Sequence, residues 1–137
     1  MAKPLAVGAT PISELVEDTV LRVLPETSLE GVADLLAAGE IGALIVGDDN
    51  EVAGIVSERD LVHAVAQRKD LKSTRAIDIA KSRLVWCDIT ATIAEVAVEM
   101  MEHYVRHVLV EDGGRFVGIV SARDLLGAYA TASTDLE

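Results

Sequence analysis

The sequence is short of aromatic residues, cysteine and long hydrophobic runs. Aromatic residues make up 3% of the 137 residues although half of the chain is hydrophobic, which predicts an aliphatic core in a domain of ordinary size. The single cysteine, Cys87, excludes an internal disulfide bond and fits a reducing compartment. No apolar run is as long as a membrane span and no secretory signal follows Met1, so we expect a cytoplasmic protein without a membrane partner.

Positive charge is also scarce. The chain has 12 basic and 23 acidic residues, a net charge of -11, and such a chain repels a nucleic acid backbone. A small anion is still compatible with this charge because a few local donors can hold one phosphate. One segment, residues 68–83, is basic; we favour its interpretation as a solvated connector, and the alternative is a region of positive potential beside an anion site. Its basic residues are Arg68, Lys69, Lys72, Arg75, Lys81 and Arg83.

The sequence contains an internal repeat. Residues 54–61 (GIVSERDL) and 118–125 (GIVSARDL) lie 64 residues apart and are identical at seven of eight positions. The same displacement aligns apolar positions back to the start of each copy without a gap, for example Val32-Ala33 with Val96-Ala97. Two copies of one structural unit explain this pattern.

Hydrophobic periodicity and turn residues predict the order β-α-β-β-α in each copy. The strand–helix–strand step should be parallel and the hairpin antiparallel, so we predict a mixed α/β (α+β) fold of two repeats packed sheet to sheet with pseudo-twofold symmetry. The predicted organisation is an N-terminal segment (1–11), repeat 1 (12–64), a linker (65–75), repeat 2 (76–130) and a polar, frayed tail (131–137). The predicted strands are 20–24, 43–46, 52–56, 84–87, 107–110 and 116–120, the predicted turns 48–50 and 112–114, and the predicted helices 12–16, 28–39, 57–68, 77–80, 92–103 and from 121 onwards.

These residues resemble a known family. The element order, the run IGALIVGDD at residues 41–49 and the closing GIVSERDL, with the matching second copy, are similar to the cystathionine-β-synthase (CBS) domain. The resemblance covers about residues 12–126 and is that of a stand-alone CBS pair, or Bateman module. It implies a regulatory module that binds AMP, ADP or ATP between paired repeats, a homodimer, and an unidentified protein partner, with no required cofactor.

The resemblance also implies the binding residues. Asp60 and Asp124 would hold ribose hydroxyls, and Ser57 and Ser121 would contact ribose or phosphate at helix N-termini, which attract anions. Arg59 and Arg123 could reach phosphate. Ser-x-x-Asp is equally the pattern of a helix capping box, and both roles can hold together.

The two copies differ in basic residues. Arg106-His107 precedes a strand in the second copy and matches a basic pair that family members use for phosphates, whereas Gly42-Ala43 stands at the same place in the first copy. We therefore expect Arg106, His107, Ser121 and Asp124 to form the better phosphate site.

Other functions have less support in the sequence. His103 and His107 are four residues apart but no third ligand is evident, so we expect no metal site, and no pattern indicates catalytic residues. A redox role for Cys87 would need a lowered thiol pKa. The alternative function is a CBS-pair dimer without a ligand that acts as a protein interaction module, with Trp86 or Met100-Met101 in its exposed face.

Overall fold

The first of two compact units forms one three-stranded sheet with three helices. The computed structural model describes residues 4–16, 21–39, 41–48 and 51–135. The chain divides into two compact units, and the first unit comprises Val20–Leu84. Its elements are β1 (Arg22–Val23), α2 (Leu29–Gly39), β2 (Ala43–Gly47), β3 (Val52–Ser57), α3 (Glu58–Ala66) and α4 (Ala76–Ile79). The sheet order is β1-β2-β3, with β1 parallel and β3 antiparallel to β2, as the sequence predicts.

The second unit has the same architecture but combines two separate parts of the chain, Met1–Thr19 and Val85–Glu137. Its sheet order is β4-β5-β6, again with one parallel and one antiparallel pair. The mixed α/β fold class and the two matching sheets are therefore confirmed. The elements are α1 (Pro4–Gly8), a 3-10 turn (Ile12–Glu14), β4 (Trp86–Asp88), α5 (Ile93–His103), β5 (His107–Asp112), β6 (Arg115–Ser121) and α6 (Ala122–Asp135).

Each unit contains the segment that precedes the other repeat. Ile12 N donates to Ala91 O at 2.7 Å, and 64 residues later Ala76 N donates to Thr27 O at the same distance. A second equivalent pair of hydrogen bonds joins Ile93 N to Thr10 O and Leu29 N to Thr74 O. The two repeats thus exchange their leading segments by the same backbone contacts.

The hydrophobic cores follow the same exchange. Ile12 is fully buried in the core of the second unit, and Ala76, at the equivalent repeat position, is fully buried in that of the first. Five further pairs of buried residues are matched in the same way, which explains why the apolar pattern repeats without a gap. The matched pairs are Val32 with Val96, Leu36 with Met100, Leu44 with Val108, Val46 with Val110, and Val56 with Val120.

Two local predictions are wrong. The helix predicted over residues 12–16 is only the 3-10 turn, because Thr10 O and Ile12 N bond to residues flanking the start of α5 instead of continuing a helix. The frayed tail predicted from residue 131 is helical to Asp135, where alanines favour the helix and the Thr131 hydroxyl donates to Gly127 O at 2.9 Å. Parts of other predictions, including residue 20 of the first strand and residues 49–50 of the first turn, lie outside the described residues.

Gly54 in β3 is required by a close backbone approach. A Cβ atom there would lie 2.8 Å from Lys81 O and 3.0 Å from Ala80 Cβ. Lys81 and Ile55 exchange two backbone hydrogen bonds of 2.9 and 3.0 Å, so the chain after α4 cannot move away without losing them.

We therefore predict that Gly54→Ala lowers the free energy of unfolding by about 1–3 kcal/mol through this overlap. The matched control is Gly42→Ala, because nothing lies within 4 Å of its Cβ position; we expect a change within about 0.5 kcal/mol. Urea unfolding followed by circular dichroism measures both. Equal stability of the two variants would show that the Gly54 contact relaxes without cost.

Candidate functional site

The predicted binding residues lie at two strand-to-helix junctions. The first junction (Ser57–Asp60) connects β3 to α3, and the second junction (Ser121–Asp124) connects β6 to α6. Each helix starts directly after its strand, so its N-terminal N–H groups stand at the end of a sheet. The junctions occupy equivalent places, since Glu58 N donates to Gly42 O at 2.9 Å and Ala122 N donates to Arg106 O at 2.8 Å.

The first junction is a closed capping box. Ser57 Oγ accepts from Asp60 N at 3.2 Å, and Asp60 Oδ2 accepts from Ser57 N at 2.8 Å and from Ser57 Oγ at 3.0 Å. Asp60 is only 9% exposed and is the one buried charged residue in the described part of the chain. Its second oxygen, Oδ1, lies 3.6 Å from Lys81 Nζ. The protein thus contacts the carboxylate at both oxygens.

The second junction has the same box in a more open setting. Asp124 Oδ2 accepts from Ser121 N at 2.8 Å, and Ser121 Oγ accepts from Asp124 N at 3.1 Å. Asp124 is half-buried, and no hydrogen bond or ion pair from the described residues reaches its Oδ1. This oxygen can accept a hydrogen bond from a ligand while the cap stays intact.

The basic pair of the second repeat lies at the second junction. His107 is the strand partner of Ser121 in the β5–β6 register, and Arg106 O accepts the hydrogen bond from Ala122. The structure therefore brings Arg106, His107 and the second junction together within one unit. In the first unit Ala43 is the strand partner of Ser57, so the equivalent place carries no charge.

Arg59 and Arg123 stand in the first turns of α3 and α6. Both side chains are exposed, and the described residues offer neither of them a hydrogen bond or an ion pair. An exposed guanidinium one turn from a helix N-terminus has the reach to meet a phosphate, but the structure does not hold either group in place.

A capping box alone does not mark a binding site. Thr92 and Glu95 form the same reciprocal pair at the start of α5, and Asp78 accepts from Arg75 N at the start of α4. Arg75 also binds Asp78 through its side chain, and these hydrogen bonds hold the pKa of Asp78 below its ordinary value. The two junctions differ from these boxes because their helices begin directly after a strand.

Sequence reasoning missed Lys81. It belongs to the basic segment 68–83, for which a connector and a source of positive potential were both open interpretations. Its place beside Asp60 depends on the antiparallel pairing of Lys81 with Ile55, a contact between distant positions that no local pattern indicates.

The remaining candidate groups have structural partners. His103 Nε2 lies 3.2 Å from Glu99 Oε2, and among the described residues no cluster of three metal-ligating side chains occurs. None of the helices in the described part of the chain is long and apolar enough to cross a bilayer.

Cys87 is half-buried against the core of the second unit. Burial first, and then the carboxylates of Asp88, Glu99, Glu111 and Glu95, raise the pKa of its thiol to about 11.

Two consecutive β-α-β-β-α repeats, each with a capped helix directly after its sheet, define a tandem-repeat protein. The family model of the CBS domain matches residues 12–67 and 76–131. The chain therefore belongs to the CBS domain family and contains two CBS domains.

Known proteins of this family resemble the chain over most of its length. Hypoxic response protein 1 of Mycobacterium tuberculosis H37Rv is 35% identical over 100 residues, which cover 72% of this chain and 70% of that protein. A CBS-domain-containing protein from Agrobacterium tumefaciens is 34% identical with a TM-score of 0.80, covering 87% of this chain and 98% of that chain. A CBS domain protein from Pyrobaculum aerophilum, solved in complex with AMP, is 31% identical with a TM-score of 0.76, covering 88% of this chain and 98% of that chain.

The two junctions should differ in their contribution to stability. We predict that Asp60→Ala lowers the free energy of unfolding by about 2–3 kcal/mol, since it removes a buried acceptor of two hydrogen bonds from Ser57, and that Asp124→Ala costs about 1 kcal/mol. Far-UV circular dichroism in urea measures both losses. A larger loss of unfolding free energy for Asp124→Ala than for Asp60→Ala would contradict the expectation that the more deeply buried carboxylate contributes more to stability.

The raised thiol pKa predicts slow chemistry at Cys87. At pH 8 its thiolate fraction should be about a hundredfold below that of an unperturbed cysteine, and alkylation by iodoacetamide should accelerate as the pH rises toward 11. Mass spectrometry of the native and the urea-unfolded protein at matched times measures this. Equal native and unfolded rates at pH 8 would show that the thiol is not shielded.

Proposed function

We propose that the chain is a regulatory CBS pair that senses an adenine nucleotide, AMP, ADP or ATP. The second junction is the principal ribose-phosphate element in this proposal. The observation that carries it is the open oxygen of Asp124 beside Arg106, His107 and the N-terminus of α6. The complex of the Pyrobaculum aerophilum relative with AMP supports an adenylate as the ligand class.

The chemistry of the second junction matches a ribose phosphate. The Asp124 carboxylate can accept a hydrogen bond from a ribose hydroxyl at Oδ1 without breaking the cap, because the cap uses only Oδ2, which accepts from Ser121 N. The helix N-terminus favours an anion, and an arginine fork can bind two phosphate oxygens. These local donors act against a net charge of -11, so the site selects a small anion rather than a polyanion.

The proposed role is sensing rather than catalysis. Ligand binding would stabilise one arrangement of the chain, and the differential affinity for that arrangement would change the activity of a protein partner. A cytoplasmic location, which the sequence predicts, and a homodimer, which the family resemblance implies, belong to the same proposal.

The alternative function, a dimeric interaction module without a ligand, has one observation in its favour. Val98 and Met101 on α5 are 50% and 76% exposed, and Tyr104 directly after the helix is 94% exposed. Met100 is buried, whereas Trp86 is 37% exposed and packs edge-to-face on Phe116 at 6.0 Å. Nucleotide titration distinguishes the two functions, because an interaction module without a ligand would not bind any nucleotide.

The proposal predicts nucleotide-dependent stabilisation. At a nucleotide concentration about a hundred times the Kd, native-state binding should add about 2.7 kcal/mol and raise the melting temperature. The panel is AMP, ADP, ATP, NAD and S-adenosylmethionine, and calorimetric titration of the best binder gives its Kd. Asp124→Asn should weaken binding about tenfold or more. The amide oxygen would keep the hydrogen bond from Ser121 N, so the amide NH₂ would face the ribose hydroxyl, and two donors cannot form the hydrogen bond that the carboxylate accepts.

The matched control is Asp112→Asn, which makes the same charge change at an exposed position in the same repeat. It should bind like the unmodified protein. No thermal shift from any compound at millimolar concentration, together with no nucleotide co-purifying by mass spectrometry, would reject the proposal.

A further inference from the structure

Lys81 stands beside the first junction although it is 21 residues beyond Asp60 in the sequence. Its Nζ lies 3.6 Å from Asp60 Oδ1, and the two side chains differ sharply in exposure, 68% for Lys81 and 9% for Asp60. The ammonium group therefore sits where the buried carboxylate faces solvent. A ligand group that binds Oδ1 would therefore be a neighbour of the Lys81 ammonium group.

The backbone of Lys81 is held by hydrogen bonds, whereas its side chain is largely exposed. Two hydrogen bonds with Ile55 hold its N–H and C=O, and Gly54 provides the room for this approach. Ile55 precedes Ser57 by two residues in β3. Lys81 is thus anchored to the strand that leads into the junction, with a flexible four-carbon stem between backbone and charge.

Lys81 gives the first junction a positive charge, which the first repeat lacks at the positions equivalent to Arg106 and His107. The second junction has Arg106 and His107 beside it, whereas the first has the uncharged Gly42 and Ala43. The residue 64 positions before Lys81 is Glu17, which lies outside the described residues, so the sequence does not repeat the lysine in the second unit. Each junction has a cationic residue at hand, but the two draw it from different parts of the chain.

We propose that Lys81 is the phosphate-binding residue of the first junction and makes it selective for a phosphorylated nucleoside over the nucleoside itself. The inference rests on the proposed nucleotide-sensing function and adds a residue and a selectivity to it. Oδ2 of Asp60 already accepts two hydrogen bonds from Ser57, so a ribose hydroxyl would bind at Oδ1. The ammonium then moves from Oδ1 to the phosphate, where it meets a larger negative charge.

The experiment isolates the first junction and compares AMP with adenosine. The starting protein is the full chain with Arg106→Gln and Asp124→Asn, which weaken the second junction, and calorimetric titration measures the Kd of each compound. Adding Lys81→Gln should weaken AMP binding about tenfold, the effect of one lost charge-assisted hydrogen bond, and should change adenosine binding less than about twofold. Lys81→Arg should retain most of the AMP affinity because it keeps the charge.

The matched control is Lys72→Gln, an exposed lysine of the same basic segment, which should leave both affinities unchanged. Adding Asp60→Asn to the starting protein should abolish the remaining AMP binding, which shows that the first junction is the site measured. Circular dichroism at the titration temperature confirms that each variant is folded.

Several results would overturn the role of Lys81. Equal loss of AMP and adenosine would make the lysine a structural support, and tighter AMP binding by Lys81→Gln would make it an obstacle at Asp60. If the unmodified protein binds AMP but the starting protein does not, or if Asp60→Asn has no effect, the first junction is not a phosphate site while the proposed function stands. If the unmodified protein binds no nucleotide, both proposals fail.

Discussion

The exchange of leading segments is the constraint from which the other features follow. Ile12 N to Ala91 O and Ala76 N to Thr27 O are the same hydrogen bond made twice, and each ties the start of one repeat into the unit of the other. The buried side chains of Ile12 and Ala76 complete the two cores at these points. The pairing that brings Lys81 to Ile55, and so to Asp60, continues the same contact beyond α4. A charge at the first junction therefore depends on a segment that the sequence assigns to the second repeat.

The two junctions show how one motif supports different chemistry. Both have a reciprocal serine–aspartate cap, which satisfies N–H groups that the helix itself cannot. In the first junction the Asp60 carboxylate is buried and its Oδ1 lies next to Lys81. In the second junction Oδ1 of Asp124 stays available beside Arg106 and His107. Capping and ligand binding do not compete when they use different oxygens of one carboxylate. The duplicated sequence has in this way produced two sites that are alike in backbone and unlike in charge.

Most of the fold could be predicted from the sequence because each strand and helix of the repeat occurs in two copies, and the two sequence patterns support the same assignment. The strands from Ala43 and His107 and the helices that follow Ser57 and Thr92 lie where alternation and capping residues indicate. The exchange could not be predicted, because Ile12 and Ala76 are equivalent positions and the pattern is the same whichever core each one enters. The 3-10 turn after Pro11 has the same origin, since its backbone groups bond outside their own segment.

The site could be predicted in part. The serine–aspartate pairs and the Arg106-His107 pair are local patterns, and the structure brings each predicted group together within its own unit. Two properties are set by long-range packing: the burial of Asp60, which is deeper than that of Asp124, and the approach of Lys81. The pattern Ser-x-x-Asp is identical in the two copies and cannot distinguish them.

The exchanged segments also impose an order on the maturation of the nascent chain. The first unit can close as soon as residues through about Leu84 have left the ribosome, since all of its sheet and its core lie in that stretch. Residues 4–16 precede the first unit in the sequence, but their own core is complete only once α6 has emerged. Residues 4–16 are thus synthesised before the first unit but buried after it, and they stay open to proteases and chaperones in the meantime.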